Sequence, residues 1–237
     1  SVGVDDVQAG FDASLDRQFG TLRRALRRVD IPQNAGVDDL KKLAEANPDS
    51  FLVQMRLADA LRKAKDNTGA LAALEKAAAL VPQAPGDGSP LVGIAVIALE
   101  LKDTARAMRA LDAFLAVDPN NVEWARKRAE LVEPLGDARR TEAAYQRVVD
   151  ADPFDARAQT MVGRLSLARR DGPTAVRAFR AALAGQPADR AAAHLDLAKA
   201  YLVTGQKAEA KQEALAALEI APTYEAAQDV LLQVVGG

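Results

Sequence analysis

"ALEIAP", residues 217–222, is the last of six phrases of one kind. The others are "LAEANP" (43–48), "AAALVP" (77–82), "FLAVDP" (114–119), "VVDADP" (148–153) and "ALAGQP" (182–187). Each leads from a helix-favouring run into a proline. Proline cannot donate an intrahelical hydrogen bond, and it drives the residue before it away from helical dihedrals. Each phrase therefore ends a helix and opens a turn. The prolines are Pro48, Pro82, Pro119, Pro153, Pro187 and Pro222, spaced by 34, 37, 34, 34 and 35 residues. That period is the length of a helix–turn–helix repeat.

Small and large residues recur at fixed places within the period. In 51–84, Leu57, Ala58 and Leu61 share one face of a first helix, and Ala70, Leu74 and Ala77 share one face of a second. The matching residues of 156–189 are Val162, Gly163, Ser166, Ala175, Phe179 and Ala182. Those of 191–224 are Leu197, Ala198, Tyr201, Gly205, Ala210, Ala214 and Ala217. Small residues let two helices approach closely, and large ones fill the gaps between them. The pattern resembles the tetratricopeptide repeat family over five units: 51–84, 88–121, 122–155, 156–189 and 191–224. The resemblance implies an all-α fold, a right-handed superhelical solenoid of stacked helix pairs whose first helices line a concave groove.

The rest of the chain is arranged around this array. Residues 35–50 read as a partial repeat, with "DDLKKLAEA" (38–46) as its second helix. Residues 225–237 read as a capping helix, with Ala227, Val230, Leu231 and Val234 on one side. Such a helix covers the apolar face that a last repeat leaves open. Residues 1–34 fall outside the repeat. "VDDVQAGFDASLDRQFGTLRRALRRVD" (4–30) reads as a long amphipathic helix with a break expected near Gly20. Val7, Phe11, Leu15 and Phe19 recur every four residues; Asp5 and Asp6 suit the start, and Arg23, Arg24, Arg27 and Arg28 suit the end.

Composition bounds the function. Of the 237 residues 49% are apolar and 4% aromatic, and the formal net charge is −2, so no global field draws the chain to nucleic acid or an anionic membrane. The basic pairs Arg23-Arg24, Arg27-Arg28, Arg139-Arg140 and Arg169-Arg170, with the triplet Arg126-Lys127-Arg128, read as solvated helix faces rather than a nucleic-acid surface. No cysteine is present, which removes disulfides and thiol chemistry. The longest apolar run, "LVGIAVIALEL" (91–101), is too short to span a membrane and contains Glu100. The lone histidine, His194, cannot supply a zinc site by itself, and its place on a first helix gives it a packing role. No phosphate-binding or dinucleotide-binding motif appears. The expectation is a chain with no cofactor and no catalytic residues of its own. The chain begins at Ser1 rather than Met, as an excised piece of a longer protein would.

A second resemblance lies at the two ends. "VGVDDVQAGFDASLDRQFG" (2–20) followed by "LKKLAEANPDSF" (40–51), together with "ALEIAPTYEAAQDVLL" (217–232), is similar to the tail of bacterial proteins in which a metallopeptidase-like domain precedes a repeat array. It implies an accessory module whose catalytic domain lies outside this chain, in a bacterial cytoplasm or periplasm. Under it, a preceding domain of the same polypeptide is a second candidate partner.

The repeat resemblance places the groove on first-helix residues. Its candidates are Met55, Asp59 and Arg62; Val96, Leu99 and Glu100; Arg126, Glu130 and Glu133; Arg157, Arg164 and Leu167; and Lys199 and Leu202. Some members clamp a C-terminal carboxylate with Lys and Asn. The corresponding places here hold Met55, Asp59, Gly93, Glu123 and Lys127, of which only Lys127 has suitable chemistry, so that clamp is disfavoured. The middle of the groove is apolar, then acidic with one Arg, then basic, which suits an extended peptide with an apolar anchor and charges of both signs. Two departures stand out. "PQAPGDGSP" (82–90) adds three residues between units. Arg128 replaces an expected Leu near Trp124; the main reading has Trp124 filling the space while Arg128 snorkels outward, the other has Arg128 entering the groove. The function this supports is a non-catalytic scaffold that binds a protein or peptide segment. The alternatives are the accessory module described above and a structural self-association module.

Overall fold

The computed structural model describes residues 4–236, with side chains from residue 11 onward except at positions 12 and 16. Thirteen α-helices and one 3-10 turn make up the described residues, with no strand among them. The chain divides into two compact units, Ser1–Pro119 and Asn120–Gly237. The first holds α1 (Val4–Ala25), α2 (Val37–Ala46), α3 (Phe51–Lys63), α4 (Asn67–Leu80), α5 (Pro90–Glu100) and α6 (Thr104–Val117). The second holds α7 (Val122–Val132), the 3-10 turn (Glu133–Leu135), α8 (Ala138–Ala151), α9 (Ala156–Ala168), α10 (Gly172–Ala184), α11 (Arg190–Val203), α12 (Lys207–Ile220) and α13 (Glu225–Val235). The class is an all-α helical-repeat solenoid, as the proline spacing predicts. The even-numbered helices α2 to α12 each stop two or three residues before one of the six prolines.

Within each unit, helices pack mainly on their neighbours in sequence. In the first unit α2 meets α3, α3 meets α4, α4 meets α5 and α5 meets α6. In the second the chain of contacts runs from α7 to α13, with added contacts of α9 to α11 and α11 to α13. Such a stack buries its apolar faces repeat by repeat. Phe179 of α10 is fully buried with Ala175, Leu197, Ala200, Tyr201 and Ala210 around it. Leu195, Ala198, Ala214, Ala217, Ala227 and Val230 form the next layer, so α13 closes that layer with Ala227 and Val230. Burying a side chain of Phe179's size contributes about 1.5–3 kcal/mol.

The turn inside each helix pair has its own recurring chemistry. Lys65, Lys102, Gly136, Arg170 and Gly205 all have φ between 60° and 75°, the left-handed conformation that ends a helix. In four of these turns the next residue is an aspartate that caps the following helix. Asp66 accepts from the Gly69 amide, Asp103 from Arg106, Asp137 from Arg140 and Asp171 from Thr174. A cap of this kind satisfies one orphan helix amide, at about 1 kcal/mol each. The hydrogen bonds from Thr174 hold the Asp171 carboxyl below its ordinary value. A second device recurs between pairs. Gln54, Gln159 and Gln228 each donate through Nε2 to the carbonyl of the proline six residues earlier, Pro48, Pro153 and Pro222. These glutamines fasten the turn that each proline opens.

Three features depart from the sequence reading. Helix α1 runs through Gly20 without a break, and Gly20 is buried. Of the apolar period on α1, Val7 lies outside the described side chains. Glu133 is not part of an α-helical face: Pro134 cannot continue the hydrogen-bond ladder of α7, so Glu133 opens the 3-10 turn. Arg128 is half-buried rather than turned out to solvent, and its Nη1 atom is inaccessible.

Candidate protein-binding surface

In the first unit, the candidate residues of α3 and α5 meet at a cleft. Met55, Asp59 and Arg62 from α3 and Val96 from α5 line it, with Val92, Gly93 and Ile97 beneath and the Asp87–Ser89 turn at one end. The volume is about 320 Å³. The inserted "PQAPGDGSP" turn supplies that end wall, and the Gly86 amide in it donates to Asp118, which fixes the turn against the end of α6. Across the rim, Arg62 Nη2 donates to Glu100 Oε1 at 2.6 Å. Asp59 accepts from Lys63 Nζ at 2.8 Å. Leu99 is half-buried and stands outside the cleft lining. The cleft is thus apolar at the floor and charged at the edge, and both rim pairs are exposed and lightly held.

A second cleft in the same unit was not visible in the sequence. Ile31, Pro32, Gln33 and Ala35 fold against Leu40 of α2 and Arg56, Asp59, Ala60 and Lys63 of α3, enclosing about 220 Å³. Asp59 therefore stands between two clefts. The signal present in the sequence was "IPQNAG" (31–36), a proline and glycine segment bordered by apolar residues, which reads only as a linker until its neighbours are known.

In the second unit, most charged candidates are engaged with one another or with helix ends. Arg126 of α7 holds Asp152 at 3.1 Å and also Asp155, the residue that caps α9. Arg157 of α9 reaches back to Glu130 Oε1 at 3.0 Å and Glu133 Oε2 at 3.4 Å. Tyr145 Oη of α8 donates to the same Glu133 oxygen at 2.5 Å. Burial and the Glu133 hydrogen bond push the Tyr145 phenol up to about 12. Burial lowers the Arg157 guanidinium, but Tyr145, Glu130 and Glu133 outweigh it and hold Arg157 above its ordinary value. Arg164 of α9 grips Asp196 of α11 through Nε at 2.9 Å and Nη2 at 2.8 Å. Leu167 and Leu202 are half-buried against the Phe179 layer, and Lys199 is exposed. The alternation of charge along these candidates is, in this unit, a ladder of ion pairs linking successive helices. His194 is half-buried, with Nδ1 at 2.6 Å from Glu213 Oε2 across α11 and α12.

Among the described residues no helix is long and apolar enough to cross a membrane. Stacked helix pairs with a floored cleft and charged helix faces define a helical-repeat interaction scaffold as the class of protein. The chain belongs to the tetratricopeptide repeat family, whose model matches residues 34–85, 92–156, 134–189 and 160–225. Proteins of this repeat family generally serve as protein–protein interaction scaffolds. Among solved structures, YrrB, a TPR protein with an unusual peptide-binding site, is 18% identical, with 82% of this chain and 98% of that one covered at a TM-score of 0.54. MamA is 20% identical over 71% of this chain and 90% of its own, at a TM-score of 0.50. A MamA from Desulfovibrio magneticus RS-1 is 18% identical over 73% and 96%, at 0.47. At these identities the likeness is one of fold. No curated protein matches the chain.

Proposed function

We propose that the chain is a non-catalytic scaffold that binds an extended segment of a partner protein, and that the cleft between α3 and α5 takes an apolar anchor side chain of that segment. The carrying observation is the cleft itself: Met55, Val92, Val96 and Ile97 form an apolar floor below a rim of Asp59, Arg62 and Glu100. An apolar pocket with a few polar edge groups is the general form of a peptide-anchoring site. The rim pair Arg62–Glu100 is exposed, so a ligand's own charges or backbone amides can replace it at low cost. YrrB has a peptide-binding site on the same fold, which supports the same ligand class here.

The test is to pan a random-peptide library on the intact chain and measure the selected peptides against Val96→Asp and Met55→Asp. Removing the anchor from an apolar pocket costs about 1.5–3 kcal/mol, or roughly ten- to a hundredfold in Kd. Leu215→Asp, on α12 and exposed, should leave binding unchanged. Circular dichroism establishes that each variant is folded. Selected peptides that bind folded Val96→Asp as tightly as the parent chain would refute the assignment.

A further inference from the structure

The face of α1 not used in the fold carries a pattern of its own. Phe11, Leu15, Phe19, Leu22 and Leu26 lie along one stripe, at steps of four, four, three and four residues. Leu26 follows the helix end but keeps its hydrogen bond to the Leu22 carbonyl. A helix that docks on its own domain buries such a stripe. Here α1 makes its main contact with α4, Gly20 and Ala25 are the buried residues, Leu15 is half-buried and the rest of the stripe faces outward. Phe11 and Leu26 are each 57% exposed, with Phe19 and Leu22 also exposed. Steps of three and four are the spacing of a two-helix seam.

Charge along α1 says what meets that seam. Residues 4–16 carry Asp5, Asp6, Asp12 and Asp16 and no base. Residues 17–28 carry Arg17, Arg23, Arg24, Arg27 and Arg28 and no acid. The helix is therefore acidic in one half and basic in the other, and the change falls at the middle of the stripe. Two copies side by side in parallel would set like charge against like. Two copies in antiparallel would set the acidic half of each against the basic half of the other. The spacing from Asp12 to Arg23 is three helical turns, so the sequence puts both positions on the same flank of the stripe. In an antiparallel pair, equal flanks face each other, and Asp12 comes opposite Arg23 of the second copy while Leu15 and Phe19 lie on either side of the crossing point beside Gln18. We propose that α1 is a self-association helix: two copies of this chain pair through α1 in antiparallel, with the Phe11–Leu26 stripe as the seam and the two charge halves setting the orientation.

The proposal is independent of the α3–α5 cleft and is tested on the intact chain by light scattering over a wide concentration range. The parent chain should pass from monomer to dimer. Asp12→Arg/Asp16→Arg makes the flank formed by positions 12, 16, 23 and 27 basic along its length, and Arg23→Glu/Arg27→Glu makes the same flank acidic. Each variant alone should be monomeric, with unchanged helicity, and an equimolar mixture should dimerise again. Should either charge variant fail to fold, Phe19→Ser is the substitute, and it too should be monomeric. Orientation is read from single cysteines, since the chain has none. Gln18→Cys, near the crossing point, should form a disulfide-linked dimer on oxidation, and Leu26→Cys should not. A parent chain that stays monomeric overturns the proposal. If that monomer also sediments with phosphatidylserine vesicles, the stripe is a membrane-docking face instead. Dimers indifferent to the charge variants, or Leu26→Cys crosslinking as readily as Gln18→Cys, overturn it as well.

Discussion

Gly163→Ala is the sharpest probe of the packing. Gly163 lies in α9, and in a free helix replacing an interior glycine by alanine gains about 1 kcal/mol. The tertiary structure reverses that sign. A Cβ at position 163 would stand 2.6 Å from Cε1, 2.7 Å from Cζ and 2.8 Å from Cδ1 of Phe179. Ordinary carbon contacts lie near 3.5–4.0 Å, so one edge of the ring must retreat by about an ångström. Phe179 is 1% exposed and is walled by Leu197, Tyr201 and Ala210, so it has no free volume to retreat into. Overpacking of this kind costs about 1–3 kcal/mol, and three close ring contacts put it toward the upper end. Net of the propensity gain, Gly163→Ala should destabilise by about 1–2 kcal/mol, a fall of roughly 2–8 °C in the thermal midpoint for a chain of this size. The double variant Gly163→Ala/Phe179→Leu should recover part of the loss, because Leu vacates the space the new methyl needs. A double-mutant cycle in urea should therefore give a coupling energy of about 1 kcal/mol or more, favourable to the pair. Gly88→Ala, where a Cβ meets nothing within 4 Å, is the matched control and should change little. A Gly163→Ala chain more stable than the parent would show that α9 and α10 do not meet through Phe179, and the repeat register would be wrong.

Three further outcomes follow from the same geometry. Lys102 adopts φ 60°, and a glycine there avoids a left-handed penalty of about 1–2 kcal/mol at some cost in unfolded-state entropy, so Lys102→Gly should stabilise by about 0.5–1 kcal/mol in urea titration; a loss of stability would count against the turn geometry. Tyr145 has a folded-state value raised from 10.0 to about 12, so its contribution is intact below pH 10 and is lost as pH rises through about 12. The advantage of the parent chain over Tyr145→Phe in thermal midpoint should shrink across that window, and parallel curves would sink the reasoning. Arg164→Gln removes a pair to Asp196 at a cost of about 1 kcal/mol or less. Arg164→Glu should be worse, because it sets a second carboxylate against an Asp196 side chain only 14% exposed; equal midpoints for the two variants would show that the pair contributes nothing to the α9–α11 contact.

The sequence by itself determined the class of the fold, because that information is local and repeated. A proline stops a helix wherever it stands, and six prolines at one period report six helix ends without reference to any other residue. The positions of Gly163 and Phe179 in their unit were legible for the same reason. The partners of the charged residues were not legible. Arg126, Arg157 and Arg164 read as groove cations, yet each finds a carboxylate 26 to 32 positions away, at Asp152 and Asp155, Glu130 and Asp196. Those distances are close to one repeat, so the pairs depend on how far one helix pair advances on the next. No helical wheel contains that advance. The α3–α5 cleft is of the same kind: Met55 and Val96 announce only that they are apolar, and the inserted Asp87–Ser89 turn announces only that it is not helical. Helix ends are fixed by bonds between residues four apart in the chain, whereas the cleft and the ion-pair ladder are fixed by where whole helices come to rest, and only the packed structure decides that.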